Sequence, residues 1–374
     1  MTENLFFELI QVSVGVRDSL QTSPSDEQWR EIYETSKQQA VMGVCFIGVQ
    51  HLPKDQLPPG KIIRQWAVKA DKVVGRNYSS SADSKMVCDR LQRDGFNSIL
   101  LKGQGNRSYY PPQLRDYRSP GDIDVWVWPG ETRNDCHRPI RCVIDYCQSI
   151  QKGEFIYYHD MDWPLLQLPV EVHYRPTWLF NPWRNRRLQR WLKAHRDYEE
   201  FEGYHIPTPE FNVIFQMLHL YKHIFEEGIG LRQLVDYYFV LRRFGDDASD
   251  SERETVHQSL SSFGLKNFSA AVMYVMRVVF AMSDEYLLCS PDESAGQLLL
   301  EEIMIGGNFG KFDERYNWSE VTNDSLEFRG SSYAVTRFRH NRRFLRHYPE
   351  EVLWEPLFRI YHFLWRRLKL WRWE

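Results

Sequence analysis

Two carboxylates one residue apart, set in an otherwise apolar run, are the first feature of this sequence that demands a chemical reason. Residues 121–127 read Gly-Asp-Ile-Asp-Val-Trp-Val. The alternation and the β-branched and aromatic content predict a strand over Asp122–Trp128. On that strand Asp122 and Asp124 share one face, while Ile123, Val125 and Val127 point the other way into a core. Neighbouring carboxylates repel, and holding both ionised is unfavourable unless a cation lies between them. Phosphoryl chemistry has a use for such a pair, because one divalent ion held there polarises a phosphate and a second activates the attacking oxygen. An isolated Asp-x-Asp is better explained as a solvent-exposed strand edge. The apolar setting and a third acid downstream turn the reading toward chemistry.

That third acid is Glu171, in Val170-Glu-Val-His-Tyr. A second alternating strand over Pro169–Tyr174 places Glu171 and His173 on one face. If this strand lies beside the first in the right register, Asp122, Asp124 and Glu171 form a three-carboxylate metal site. A one-residue slip would send Glu171 into the core. Upstream, Ser98-Ile-Leu-Leu reads as a short buried strand that ends in Lys102-Gly103-Gln104-Gly105. A strand feeding a helix through such a turn brings backbone N–H groups, a helix N-terminus and one cation to a single point, which suits phosphate oxygens. Lys102, Gly103 and Gln104 are therefore expected at a nucleotide, with Arg118 as a further phosphate contact and Arg115 a weaker candidate.

The elements that must hold these residues fall into three regions. Residues 1–95 read as helical, with Leu5, Leu9, Val12 and Val16 at helical spacing, a capped helix after Ser25, a proline-rich loop at 51–60 and a long charged helix over 61–93. Residues 96–205 hold the strands, including one expected over Glu154–Tyr158, and a helix over Arg133–Gln151. Residues 206–374 are again helical, broken at 246–251, 290–294 and 306–310. The expected class is α+β: a small mixed twisted sheet flanked by N-terminal and C-terminal helical regions. In the third region His219 and His223 are four apart and share a helix face. A cleft or core histidine pair explains them better than a metal site. Arg232 and Asp236 have ion-pair spacing. The turn at Gly306–Gly310 needs no chemistry. The stretch 357–373 is basic and aromatic with apolar residues at helical spacing. It is expected to pack on the domain by its apolar side, with a membrane surface or RNA as the alternatives.

Composition adds limits. The chain has 374 residues, 43% hydrophobic and 26% charged, with a net charge of −3. No global field draws it to nucleic acid or membrane, so either contact would need a local patch; nucleic acid is not favoured. None of the six cysteines forms a Cys-x-x-Cys pair, and they are expected to be free thiols. No stretch reaches membrane-spanning length, and the N-terminus carries acids where a signal peptide needs basic residues. The expected location is the cytoplasm.

The order of these motifs carries a resemblance. With Leu101-Lys-Gly-Gln-Gly-Asn106, Arg118-Ser-Pro-Gly-Asp-Ile-Asp124, Glu171-Val-His173, Glu227-Gly-Ile-Gly-Leu-Arg-Gln-Leu-Val-Asp236 and Gly306-Gly-Asn-Phe-Gly310, the chain resembles the uncharacterised nucleotidyltransferase family of the DNA polymerase β-like superfamily, in the form found in gut Bacteroidetes. The resemblance implies a minimal twisted sheet with flanking helices. It implies transfer of a nucleoside monophosphate from an NTP to an acceptor, with loss of pyrophosphate, using Mg2+ or Mn2+. Asp122 and Asp124 would bind both ions, and Glu171 would bind the catalytic ion or deprotonate the acceptor. His173, His223 and Arg232 would line the acceptor or base pocket. The superfamily has Gly-Ser at the phosphate turn where this chain has Lys102-Gly103. A nucleotide-binding module without turnover is the first alternative. A glycosyltransferase using Asp-x-Asp for a nucleotide sugar is the second, and a haloacid-dehalogenase phosphatase also uses that motif. Both of these enzymes need a larger alternating α/β region. The acceptor is not named by the resemblance.

Overall fold

The computed structural model describes residues 2–133, 136–150, 155–163, 169–315 and 330–374. Three helices open the chain: α1 (Thr2–Ser13), α2 (Asp26–Gln38) and α3 (Met42–His51). α2 starts at a capping box in which Ser25 and Gln28 satisfy each other's backbone N–H. The proline-rich loop then leads into α4 (Gly60–Arg93), 34 residues long. Its buried residues Ile62, Trp66, Ala70, Val73, Asn77, Ser80, Ser84, Val87 and Leu91 recur every three or four positions, so one stripe faces inward along the whole helix.

The central sheet follows, with β1 (Phe96–Leu100), the short α5 (Pro112–Arg115), β2 (Ile123–Pro129), α6 (Pro139–Ile150), β3 (Asp160–Asp162) and β4 (Val170–His173). Its strand order is β1-β2-β4-β3. β1 and β3 run antiparallel to their neighbours and β2 runs parallel to β4, so the sheet is mixed. Ile123 pairs with Val170, and Val125 with Val172, which in turn faces Met161. These side chains make the dry face. Buried Val143, Ile144 and Cys147 of α6 close that side of the sheet, where Phe96 meets Tyr146. The helix begins at Pro139, later than the expected 133, because proline suits the first helical turn. The strand expected over 154–158 is reduced to a bridge between Ile156 and Met161; Glu154 lies outside the described residues. Cys136, placed before α6 by the late start, has its Cα 5.8 Å from that of Cys142 and is joined to it as a disulfide. The expectation of six free thiols is corrected here, and with it the cysteine argument for a reducing compartment.

α7 (Pro182–Ala194) precedes a hairpin of β5 (Tyr198–Phe201) and β6 (Tyr204–Pro207). Glu202 and Gly203 both have positive φ, 50° and 83°, as a two-residue type I′ turn requires. The hairpin leans on β1, with His205 Nδ1 3.3 Å from the Ser98 carbonyl. The remaining elements are α8 (Pro209–Glu226), α9 (Leu231–Asp247), α10 (Asp250–Ser262), α11 (Lys266–Phe280), α12 (Glu293–Gly306), α13 (Gly330–Phe344) and α14 (Pro349–Arg367). α8 crosses the other face of the sheet, where Phe211 stacks on Trp126 with centroids 5.7 Å apart. One apolar core runs from α1 through the sheet to α14. The architecture is the expected α+β arrangement. Among the described residues no helix is long and apolar enough to cross a membrane.

Candidate active site

Register decides what the polar face of the sheet carries. Asp124 on β2 lies directly beside Glu171 on parallel β4, and Trp126 lies beside His173. On the far side of β4, Asp162 faces Glu171 and Asp160 faces His173. Five polar residues, Asp124, Glu171, His173, Asp160 and Asp162, thus share one face. Asp122 is the residue just before β2, at its exposed mouth.

Two cations already sit among these acids. Lys102 Nζ is 2.6 Å from Asp124 Oδ1. His173 Nε2 is 3.0 Å from the same oxygen and 3.5 Å from Glu171 Oε2. Burial opposes the charge of each group, but mutual attraction wins. Lys102 and His173 hold Asp124 below the ordinary carboxylate range. Hydrogen bonds to Asp124 and Glu171 raise His173 to about 9, and the charges of Asp124 and Glu171 raise Lys102. Asp122 is in the opposite position. Partial burial and then the charges of Asp124 and Glu171 push it up to about 6, against the pull of Lys102 and Arg232.

The phosphate turn stands against this cluster. Leu101 N–H donates to the Asp124 carbonyl at 2.9 Å, which locks the end of β1 to β2. Gly103 has φ 57°, and a Cβ there would lie 3.1 Å from the Asp122 carbonyl oxygen. Only glycine allows so close an approach in that conformation. A short 3₁₀ turn over Gly105–Tyr109 follows, in place of the expected helix.

The side chains of two residues expected at the phosphates are held by partners within the protein. Arg118 is buried, with Nε and Nη2 each 2.7 Å from the carboxylate of Asp236 on α9. A guanidinium taken out of water needs this bidentate partner. Tyr110 Oη and Asn106 Nδ2 complete the shell around Asp236, at 2.6 and 3.2 Å. Gln104 is also buried. It donates to Asn77 Oδ1 at 3.2 Å and accepts from Ser81 at 3.0 Å. Asn77 in turn donates to the carbonyls of Asp116 and Arg118, so α4 holds the loop that enters β2. The expected Arg232–Asp236 pair is replaced by Arg118–Asp236. Arg232 instead lies over the Phe309 ring and reaches the Pro120 carbonyl at 3.4 Å, beside the entry to the Asp-x-Asp strand. Burial and the Arg118 charge lower it to about 10.

His223 packs against His219, with ring centroids 4.2 Å apart, and against Phe309. Burial and the charges of Lys222 and Lys102 hold both rings neutral. Residues outside the earlier candidates also join. His159, Asp160 and His173 form a second buried group of potential ligands, sharing His173 with Asp124 and Glu171. Lys222 Nζ lies 3.0 Å from His159 Nε2. Glu227, raised to about 6 by burial and Glu226, also feels the charge of Glu171. Its place in the Glu-Gly-Ile-Gly series was the available signal. His159 and Asp160 had none beyond their residue types.

Donor atoms of Asp124, Glu171 and His173 lie within 4.8 Å of one another. The carboxylates of Asp124 and Glu171 offer the oxygen donors that suit Mg2+ or Mn2+, while His173, raised to about 9, stands beside them as a protonated partner. His173 Nδ1 and Asp160 Oδ1 are buried without a hydrogen-bond partner among the described residues. Lys102 shares the Asp124 oxygen that such an ion would use.

The model of the uncharacterised nucleotidyltransferase family matches residues 25–281. The chain belongs to that family. The match spans α2 to α11, taking in the whole sheet, the Lys102 turn and the Arg118–Asp236 pair, so the family's nucleotidyltransferase assignment covers the site just described. Comparison with curated proteins and with solved structures finds no match.

Proposed function

We propose that the chain transfers a nucleoside monophosphate from an NTP to an acceptor, releasing pyrophosphate, at the site formed by Asp122, Asp124 and Glu171. The observation that carries this reading is the register of β2 and β4, which sets Asp124 beside Glu171 on one face with Asp122 at the mouth. A divalent ion bound by these carboxylates would polarise the phosphate under attack and offset the charge of the leaving group.

The chain's own groups divide the remaining work. Lys102 and the backbone of the Lys102–Gln104 turn would meet the triphosphate, with the lysine charge standing where the superfamily has a serine. Glu171 would take the proton of the acceptor hydroxyl. That oxygen forms a bond to the α-phosphorus as the bond to the bridging oxygen breaks, and pyrophosphate departs. His173, fixed between Asp124 and Glu171, would orient both carboxylates. Arg232, close to Asp122 and without an acidic partner at hydrogen-bond distance among the described residues, is suited to a second anionic group. His223 would line the acceptor side.

One observation favours a second reading. Lys102 Nζ on Asp124 satisfies that carboxylate without any ion, as expected of a nucleotide-binding module that has lost turnover. The glycosyltransferase and phosphatase alternatives find no support in a four-stranded mixed sheet. Pyrophosphate release from each of the four NTPs, with and without Mg2+, separates the two readings. Ion-dependent release lost in Asp124→Asn supports the transferase. Nucleotide binding without release under every condition leaves the binding module.

A further inference from the structure

The C-terminal helix presents a second apolar face to solvent. α14 buries Val352, Glu355, Phe358, His362 and Trp365 against the domain. On its opposite side Leu353, Leu357, Ile360, Leu364 and Leu368 recur at steps of four, three, four and four, and each is between 45% and 66% exposed. That spacing makes a continuous leucine stripe about four turns long. Soluble surfaces seldom display such a stripe without an occupant.

The charge around the stripe identifies the occupant. Between Glu355 and Glu374 there is no acidic residue, while Arg359, Arg366, Arg367, Lys369 and Arg372 occur there. Exposed Arg367 lies within the leucine stripe itself. α7 stands across a cavity of about 800 Å³, lined on one side by Leu357 and Tyr361 and on the other by Arg186, Arg190 and Lys193. These three cations follow at i, i+4 and i+7, and α7 contains no acid at all. None of the three has a carboxylate partner among the described residues.

We propose that this face, the α14 stripe with the α7 cations beside it, binds the surface of an anionic lipid bilayer. The leucines enter the boundary between headgroups and acyl chains, exposed Trp373 lies at the same boundary, and Arg186, Arg190, Lys193 and Arg367 meet lipid phosphates. Among the described residues no helix is long and apolar enough to cross a membrane, and the proposed contact is with the bilayer surface. A second copy of the chain fits less well, because a two-fold contact through the stripe brings like-charged arginines together. Single-stranded RNA would satisfy the α7 cations and leave the leucines in water.

The test uses the full chain without nucleotide or ion, so its outcome is separate from any result on catalysis. Co-sedimentation is measured with vesicles of phosphatidylcholine and of phosphatidylcholine with phosphatidylglycerol. Binding is expected to be at least about tenfold tighter to the anionic vesicles and to weaken with salt. Arg186→Glu with Arg190→Glu should remove most of that preference, and Leu357→Asp with Leu364→Asp should abolish residual binding at high salt. All four side chains are exposed, and the comparison of vesicles on the unaltered chain needs no variant to fold. Three results overturn the proposal: no partition into either vesicle; a concentration-dependent dimer that Leu357→Asp dissolves; or tight binding of single-stranded RNA through α7 with no lipid binding.

Discussion

The Lys102 ammonium and the Asp124 carboxylate are joined at 2.6 Å across the junction of β1 and β2. On the proposed function, Lys102 and an ion held by Asp124 would therefore compete for one oxygen. Nucleotide binding should draw Lys102 toward phosphate and release Asp124.

Lys102→Ala should weaken equilibrium NTP binding about ten- to a hundredfold, the effect of losing one charge-assisted contact of roughly 1.5–3 kcal/mol. The same variant should bind Mn2+ more tightly in the absence of nucleotide, read by electron paramagnetic resonance, because a competing cation is gone. Unchanged NTP affinity would show that Lys102 serves Asp124 alone.

Asp122 gives a pH signature. Its value of about 6 lies above the ordinary 3.8, so the folded protein holds a proton that the unfolded chain has released. The resulting penalty is absent below pH 4, grows as pH rises to 6 and stays constant above. Asp122→Asn should therefore raise the melting temperature in EDTA at pH 8 and leave it nearly unchanged at pH 4, while abolishing ion-dependent turnover. A variant that melts lower than the parent at pH 8 would refute the crowding of these carboxylates.

Glu171→Gln tests the placement of the acceptor's proton. The single-turnover rate should fall by at least about a hundredfold, within the usual range for losing a general base. The dissociation constant for NTP should change little, since Asp122, Asp124 and Lys102 remain. Equal losses in both quantities would instead make Glu171 a binding residue.

Arg118 is expected to behave as a structural residue. Arg118→Ala leaves Asp236 buried and unpaired, which should destabilise the fold by about 3–5 kcal/mol in urea titrations. Folded protein should bind NTP as the parent does. A selective loss of affinity at unchanged stability would return Arg118 to the phosphates.

How much of this was legible depends on distance along the chain. Ile123–Pro129 and Val170–His173 alternate cleanly, so both strands followed from period alone, while the place of Glu171 beside Asp124 rests on an adjacency and register that period does not contain. β3 did not show, because Asp160-Met-Asp162 is too short for a period and its acids are poor strand formers. The β5–β6 hairpin has a turn of Glu202-Gly203, outside the commonest Asn-Gly and Asp-Gly signals. Asp236 looked like the partner of Arg232 because the two are four apart. Its true partner, Arg118, lies 118 residues upstream, a contact that no local rule contains. His173 is expected to line the acceptor or base pocket, and period alone does not show that its ring reaches back to the Asp124 carboxylate.

The pairing of Arg118 with Asp236 also binds two regions into one cooperative unit. A fragment ending at residue 205 would keep the sheet and every carboxylate of the site, but it would strand a buried guanidinium and remove α8 from over Trp126. The strand that carries Asp124 is entered through Arg118, so that loss would be felt first where the chemistry is proposed to occur. The smallest piece able to hold these acids in place extends into α9, even though no acid on the sheet comes from there.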